Sequence, residues 1–392
     1  MSSVFMQTYH RLPVTFTRGE GVWLFDEAGR RWLDFCSGIA VNVLGHAHPA
    51  LTRAIAEQAA RLCHVCNYYQ SDVSEAFAEK LIAACAGAGM RKLFFCNSGA
   101  EANEGAIKIA RKYSLSRHGS GRHRIVTLKN GFHGRTITTL SATGQDVFHK
   151  DFGPFTEGFE YVEPEDLAAL DRALDPALCA GFLAEAVQGE SGVRPLSEGY
   201  VREAARLCAE RDILLLFDEV QAGIGRTGTF LACEGYGVKA DVVTLAKGLA
   251  GGVPVGAVLA GAKAADVLGP GDHGSTFGGN PLAAAAGLVV LDTVARPAFL
   301  AEVRCKGDAV LAALRGWNHP KVKEVRGRGL MAGIDISEDA RPVLERALGL
   351  ARGEAPGLLI LSAGQKTLRL LPPLVISGAE LEQGLALLKG CL

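Results

Sequence analysis

The sequence predicts an α/β protein: a large domain on a mostly parallel sheet, and a small α+β domain built from both chain ends. Three observations predict it. Strand-like runs alternate with helix-like runs through the middle of the chain. The strand-like runs are almost continuously apolar, as strands covered on both faces must be. The length, 392 residues, is more than one small core uses.

The elements follow in order. Residues 13–35, "PVTFTRGEGVWLFDEAGRRWLDF", read as short strands joined by Gly turns. "HPALTRAIAEQAARL" and "SEAFAEKLIAACA" have helical periodicity. Then "KLFFCNS", "RIVTL" and "AGFLAEAV" read as strands, each followed by a helix: "AEANEGAIKIARKYS", "EDLAALDRAL" and "GYVREAARLCAERD". "ILLLFDEV", "ADVVTLA" and "PVGAVLAG" are further strands. "NPLAAAAGLVVLDTV" is a long apolar helix suited to joining domains, and beyond it "VKEVRGRGLMAGIDI" and "TLRLLPPLVIS" read as strands. The small domain is therefore assigned 1–50 and 296–392, and the large domain 51–295.

Composition narrows the function. Lys and Arg total 41 against 42 Asp and Glu, so the basic excess of a nucleic-acid footprint is missing. The 10 Cys sit mostly in apolar runs, which reads as reduced buried thiols; the single "CHVC" pair, Cys63 and Cys66, is a weak zinc or redox signal, and helical core cysteines are the expected reading. No signal peptide and no membrane span are expected, and the expected location is cytoplasmic.

In parallel sheets, ligands sit at the carboxyl ends of the strands. After "KLFFC" comes "NSGAEANE", where Ser98 and Glu101 form a capping-box pattern and Gly99 lets a ligand approach the helix amides. After "ILLLF" comes Asp218, a carboxylate that needs a cationic partner, a metal or water. After "DVVTL" comes Lys247 among Ala, Leu and Gly, where lost solvation favours the neutral, nucleophilic amine. Each alone reads equally well as a helix cap, a loop acid and a snorkelling lysine. Together they match pyridoxal phosphate: a phosphate, a ring nitrogen and an aldehyde that forms a Schiff base with lysine.

Seven motifs run through the chain: "SGIAVNVLGHAHP", "NSGAEANEGAIKIAR", "GFHGRT", "LLLFDEVQAGIGRTG", "TLAKGLAGGVPVGA", "HGSTFGGNP" and "LRLLPPLVI". By them the chain resembles the class III aminotransferases of the fold type I pyridoxal-phosphate enzymes, most closely those acting on N-acetylornithine. The resemblance implies transamination between an ω-amino donor and 2-oxoglutarate, in a homodimer with shared active sites. It implies that Lys247 holds pyridoxal 5′-phosphate and shuttles the proton, and that Asp218 pairs with the ring nitrogen. Ser98, Gly99 and Ala100 would cradle the phosphate. Phe132 and Val220 would flank the ring, Gln221 would meet its hydroxyl, and Glu219 belongs to the same cofactor-binding run. Thr276 would reach the partner subunit's cofactor and Ser275 would lie near substrate. Arg135 would clamp a substrate carboxylate. Arg369 would bind the 1-carboxylate of 2-oxoglutarate, with Glu190 as its removable partner and Glu185 shaping the same loop.

Two departures from the family bear on this. Ala100 stands where many relatives carry Ser or Thr, which removes one hydroxyl from the phosphate cradle. Ile39 stands near the position of a tyrosine that ornithine aminotransferases use for the free α-amino group, which favours an acylated donor. N-Succinyl-diaminopimelate, ornithine and other ω-amino acids are the alternatives. "GIGRTG", Gly223 to Gly228, formally matches a dinucleotide fingerprint, but "DEVQA" separates it from its strand and no helix is expected after it. His46 and His48 lack metal-ligand company, so no metal is expected; His133 is either a support for the cofactor loop or structural. Nicotinamide oxidation on "GIGRTG" and a non-catalytic scaffold are the readings from other classes.

Overall fold

The computed structural model describes residues 4–353 and 355–392; the first three residues of the N-terminal segment lie outside the described residues. Its centre is a seven-stranded sheet. In spatial order the strands are Met90–Cys96, Gly256–Gly261, Val242–Leu245, Leu214–Asp218, Cys179–Ala184, Arg124–Leu128 and Phe159–Val162. Gly256–Gly261 runs antiparallel to both neighbours, and the remaining pairs are parallel.

The apolar runs have a direct cause. Leu214 and Leu216 pack with Ala106, Ile107 and Ala110 of helix Gly99–His118. Leu215 and Phe217 belong to the core on the other face, with Val201, Ala204 and Leu207 of helix Glu198–Glu210. With helices on both faces, the run Leu214–Phe217 has no position for a polar residue before the strand ends. That is where Asp218 stands, in register with Thr244. Phe159–Val162 was not foreseen: it is an edge strand, three of whose four residues are only partly buried.

Both chain ends contribute to one further sheet. Phe16–Glu20, Trp23–Asp26 and Arg31–Asp34 pair antiparallel, and Gly357–Leu359 adds in parallel to Arg31–Asp34. The stretch read as one strand over "VKEVRGRGLMAGIDI" is two antiparallel strands, Val322–Arg328 and Met331–Ile336, because Gly329 turns the chain at φ 55°. The strand expected over "TLRLLPPLVIS" stops at Leu370, before Pro372 and Pro373, which have no N–H for a ladder. That short strand, Thr367–Leu370, pairs with Met331–Ile336 and carries Arg369.

Arg226, from "GIGRTG", ties the large sheet's loop to the C-terminal segment. It is 1% exposed and donates to the carbonyls of Leu330 at 2.9 Å and Pro372 at 2.6 Å. The loop leads into the short turn Ala232–Tyr236, not into the helix a dinucleotide site needs.

Helix Pro281–Val294 packs on helix Asp72–Ala84 at Gly287. A Cβ there would lie 2.3 Å from the Phe77 ring, which is itself stacked on Phe95 at 4.9 Å. Gly287→Ala is expected to destabilise the fold by about 1–3 kcal/mol through overpacking. Denaturant unfolding checks this; unchanged stability would contradict the packing described.

Candidate active site

Lys247, Asp218, Ser98, Gly99, Ala100, Phe132, Arg135, Val220 and Gln221 line one cavity of about 440 Å³ at the carboxyl ends of the central strands. The loop after Val242–Leu245 brings Lys247 into it, with the lysine backbone at φ 43°, a conformation costly for a non-glycine residue. Burial holds the Lys247 amine below the usual lysine range; Glu190 opposes that shift and Arg369 adds to it.

At the cavity's helix end, the amides of the first turn have no helical acceptor. Ser98 Oγ accepts the amide of Glu101 at 3.2 Å. The Glu101 carboxylate accepts from the amide of Asn97, one residue before the position that a capping box predicts. Gly99 is required: a Cβ would sit 2.7 Å from Val220 Cγ1. The helix end is thus a concave donor surface suited to an anion.

Asp218, 4% exposed, is held from three sides. Asn103 Nδ2 donates to its Oδ2 at 2.7 Å, His133 Nδ1 lies 2.8 Å from the same oxygen, and the Val220 amide donates to Oδ1 at 3.0 Å. Thr244 Oγ1 donates to Asn103 Oδ1 at 2.8 Å, which orients the amide. A carboxylate fixed in this way suits a cationic ring nitrogen in the cavity.

Beside them Arg369, 2% exposed, donates to Glu190 Oε1 at 2.7 Å, to the Gly189 carbonyl at 3.1 Å and to Gln221 Oε1 at 3.2 Å. Gln221 Nε2 also donates to Glu190 at 3.1 Å. Burial pushes the Glu190 carboxyl upward, but Arg369 outweighs it and holds the group below the usual range. Glu185 accepts the amides of Phe132 at 2.9 Å and Gly189 at 3.3 Å, joining the Phe132 loop to the Glu190 loop. Burial, reinforced by Asp218, pushes its carboxyl up to about 7.

Other predicted residues lie apart. Glu219 turns away: its carboxylate accepts the amides of Ala232 at 2.7 Å and Cys233 at 2.8 Å. Ser275 and Thr276 line a separate cavity of about 820 Å³. Ser275 still touches the main cavity's wall, because Asn97 Nδ2 donates to its Oγ at 3.2 Å. Glu190 and Arg369 reach the cavity through Gln221.

Two features escaped the sequence reading. Asn103 passes for a solvated helix residue, yet it is 1% exposed; its flanking by Ala102 and Ala106 on the sheet-facing side was the available signal. The "SGIA" stretch forms a left-handed turn, with φ of 42°, 63°, 66° and 63° at Ser37, Gly38, Ile39 and Ala40. Asp34 anchors it by accepting the amides of Cys36 and Ser37, both at 2.8 Å, and Ser37 Oγ donates to the Leu371 carbonyl at 2.6 Å. Nothing in residue type alone announces three consecutive-turn residues other than Gly at positive φ.

Comparison with known proteins gives concordant results. The sequence model of the family Aminotransferase class-III matches residues 4–392. The acetylornithine aminotransferase of Caldanaerobacter subterraneus subsp. tengcongensis is 46% identical over 390 residues, covering 99% of this chain and 96% of that protein. That of Aquifex aeolicus is 45% identical over 387 residues, covering 99% of each. The ornithine aminotransferase from Toxoplasma gondii, crystallised with partial occupancy of PLP at its active site, superposes with a TM-score of 0.92 at 33% identity, covering 99% of this chain and 92% of that one. N-acetylornithine aminotransferase from Stenotrophomonas maltophilia K279a superposes with a TM-score of 0.83 at 37% identity, covering 98% and 96%.

Glu219 makes the fold sensitive to pH. Burial pushes its carboxyl up to about 7, against the pull of the Ala232 and Cys233 amides. An unfolded glutamate loses its proton near pH ~4.3. Between that value and about 7, the folded chain keeps a proton that the unfolded chain has lost. The Glu219 contribution is therefore full below this window and is lost as pH rises through it, by roughly 4 kcal/mol in all. Glu219→Gln should unfold with a correspondingly flatter dependence between pH ~5 and ~7.5 in denaturant titrations. Parallel pH profiles for the two proteins would contradict this.

Proposed function

This chain belongs to the class-III aminotransferase family, and we propose that it transfers the ω-amino group of N2-acetyl-L-ornithine to 2-oxoglutarate. The products are N-acetyl-L-glutamate 5-semialdehyde and L-glutamate, and the cofactor is pyridoxal 5′-phosphate. The observation that carries this reading is the Glu190–Arg369 pair, 2.7 Å apart, beside the Lys247 cavity. A site that must accept a monocarboxylate donor and then a dicarboxylate needs one cation that can be masked and unmasked.

The residues fit the cofactor. The Ser98 hydroxyl and the amides of Gly99 and Ala100 suit its phosphate, so the methyl of Ala100 is no obstacle. Asp218, locked by Asn103 and His133, suits the ring nitrogen. Phe132 and Val220 offer an aromatic and an aliphatic wall for the ring, and Gln221 a polar edge. Glu219 acts from behind, by fixing the loop after Asp218 through Ala232 and Cys233. When bound, pyridoxal phosphate supplies an aldehyde that takes up amines and a ring that draws off electrons.

The chain's own groups do the rest. Burial favours the neutral form of Lys247 Nζ, which suits it to hold the cofactor, whose aldehyde would take up an amine, and to move the proton of the donor's amine-bearing carbon. Arg135 makes no ion pair among the described residues and offers a planar fork to the donor's carboxylate. Glu190 masks Arg369 while the donor is bound; the dicarboxylate displaces it and takes Arg369 by its 1-carboxylate. The two half-reactions alternate at one cavity, a ping-pong scheme.

Donor choice rests on sequence more than on overall shape, since the fold superposes on ornithine aminotransferase at least as closely as on its acetylornithine counterpart. The named acetylornithine relatives are the more similar in sequence. Ile39, 39% exposed on the left-handed turn, gives an apolar surface that suits an acylated amine. The second cavity, with Ser275 and Thr276, is bordered by exposed Tyr68; in a homodimer it is where Thr276 would serve the partner subunit's cofactor. The same reading keeps 1–50 and 296–392 as one small domain around 51–295, and a cytoplasmic location. Among the described residues, no single helix is long and apolar enough to cross a membrane.

Initial rates of glutamate formation from 2-oxoglutarate test the donor. N-Acetylornithine is expected to exceed ornithine, succinyl-diaminopimelate and 4-aminobutyrate in kcat/KM, ornithine by about ten-fold or more. A preference for free ornithine would overturn the proposal.

A further inference from the structure

Arg135 stands at the lip of the Lys247 cavity without an acceptor of its own: among the described residues it has no hydrogen bond and no ion pair. What holds it is a ring. Its guanidinium carbon lies 3.9 Å from the centroid of Phe148, and 5.5 Å from that of Phe132. The two rings meet edge to face, with centroids 5.9 Å apart and planes at 84°. Phe132 lines the cavity; Phe148, at the end of the short turn Asp146–Phe148, stands outside it.

This arrangement has a chemical consequence. A guanidinium over a ring face is attracted by the ring quadrupole, yet its N–H groups stay in its own plane, free at the edge. A protein carboxylate would hold the arginine equally well but would occupy those N–H groups. Arg369, which has such a partner in Glu190, shows the contrast within the same site. The aromatic support leaves one arginine orientated and available, while the acidic support keeps the other masked.

We propose that Phe148 is a positioning residue for substrate selection: it orders Arg135 for a carboxylate and transmits the placement of Arg135 to Phe132. This rests on the reading of Arg135 as the carboxylate clamp. A purely steric role would make Phe148 replaceable by any apolar side chain of similar size. Support through the ring face makes leucine inadequate and tyrosine adequate.

The test uses the holoenzyme and single-turnover half-reactions, with N-acetyl-L-ornithine and with putrescine, a diamine that has no carboxylate. In Phe148→Leu the ratio of kcat/KM for N-acetylornithine to that for putrescine should fall about 3- to 10-fold, through KM, the scale of a cation–π contact. Phe148→Tyr should restore most of the ratio. In an Arg135→Ala background, Phe148→Leu should change it no further. A ratio unchanged in Phe148→Leu, or an equal loss with both amines, would overturn the inference. If the wild-type enzyme fails to use N-acetylornithine, the donor reading fails instead. Inhibition by glutarate against whichever donor is used then gives the same comparison: its inhibition constant should rise about 3- to 10-fold in Phe148→Leu, and an unchanged constant refutes the role.

Discussion

A lysine amine taken out of water at the end of a parallel strand is the constraint on which the rest of this structure depends. Burial favours the neutral form of Lys247, and the surrounding groups decide how far. Glu190 lies close enough to oppose the shift, and Arg369 close enough to extend it. The two form an ion pair with each other, so any movement of Glu190 away from Arg369 changes the field at the amine. The readiness of Lys247 is thereby tied to the position of one carboxylate.

The same need to hold charge without water explains the buried polar chain behind the cavity. Thr244, Asn103, Asp218 and His133 pass hydrogen bonds along one line, each less than 5% exposed. Of the side-chain atoms in this network, His133 Nε2 alone is buried without a partner among the described residues. Here each link orients the next, so that Asp218 keeps a fixed direction towards the cavity. Strain is stored nearby: Lys247 and the turn Ser37–Ala40 are both left-handed, and a Cβ on Gly248 would lie 3.4 Å from the Ala40 carbonyl. Positive φ at non-glycine residues persists only where the surroundings fix it, as Asp34 and Ser37 do here.

Much of this was legible in the sequence. Leu214–Phe217 is apolar throughout and Val242–Leu245 is apolar but for Thr244, because helices cover both faces, and a charge at the end of such a run marks the strand's functional end. What periodicity could not supply was direction. Glu219 and Asp218 are neighbours of the same type, yet one faces the cavity and the other caps the turn Ala232–Tyr236, because successive side chains leave a strand on opposite sides. Asn103 was invisible for a related reason: the helix face it occupies becomes buried only when the sheet is in place. The hairpin at Gly329 looks like one strand in sequence, since a glycine in an alternating run does not reveal its φ.

Every role proposed for the cavity depends on Lys247 being the residue that receives the cofactor. Borohydride reduction of the protein with pyridoxal 5′-phosphate, followed by peptide mass spectrometry, measures this directly. One phosphopyridoxyl group per chain on the peptide containing Lys247, and none in Lys247→Ala, is the predicted result. Labelling of another lysine in preference, or no labelling of Lys247, would contradict it.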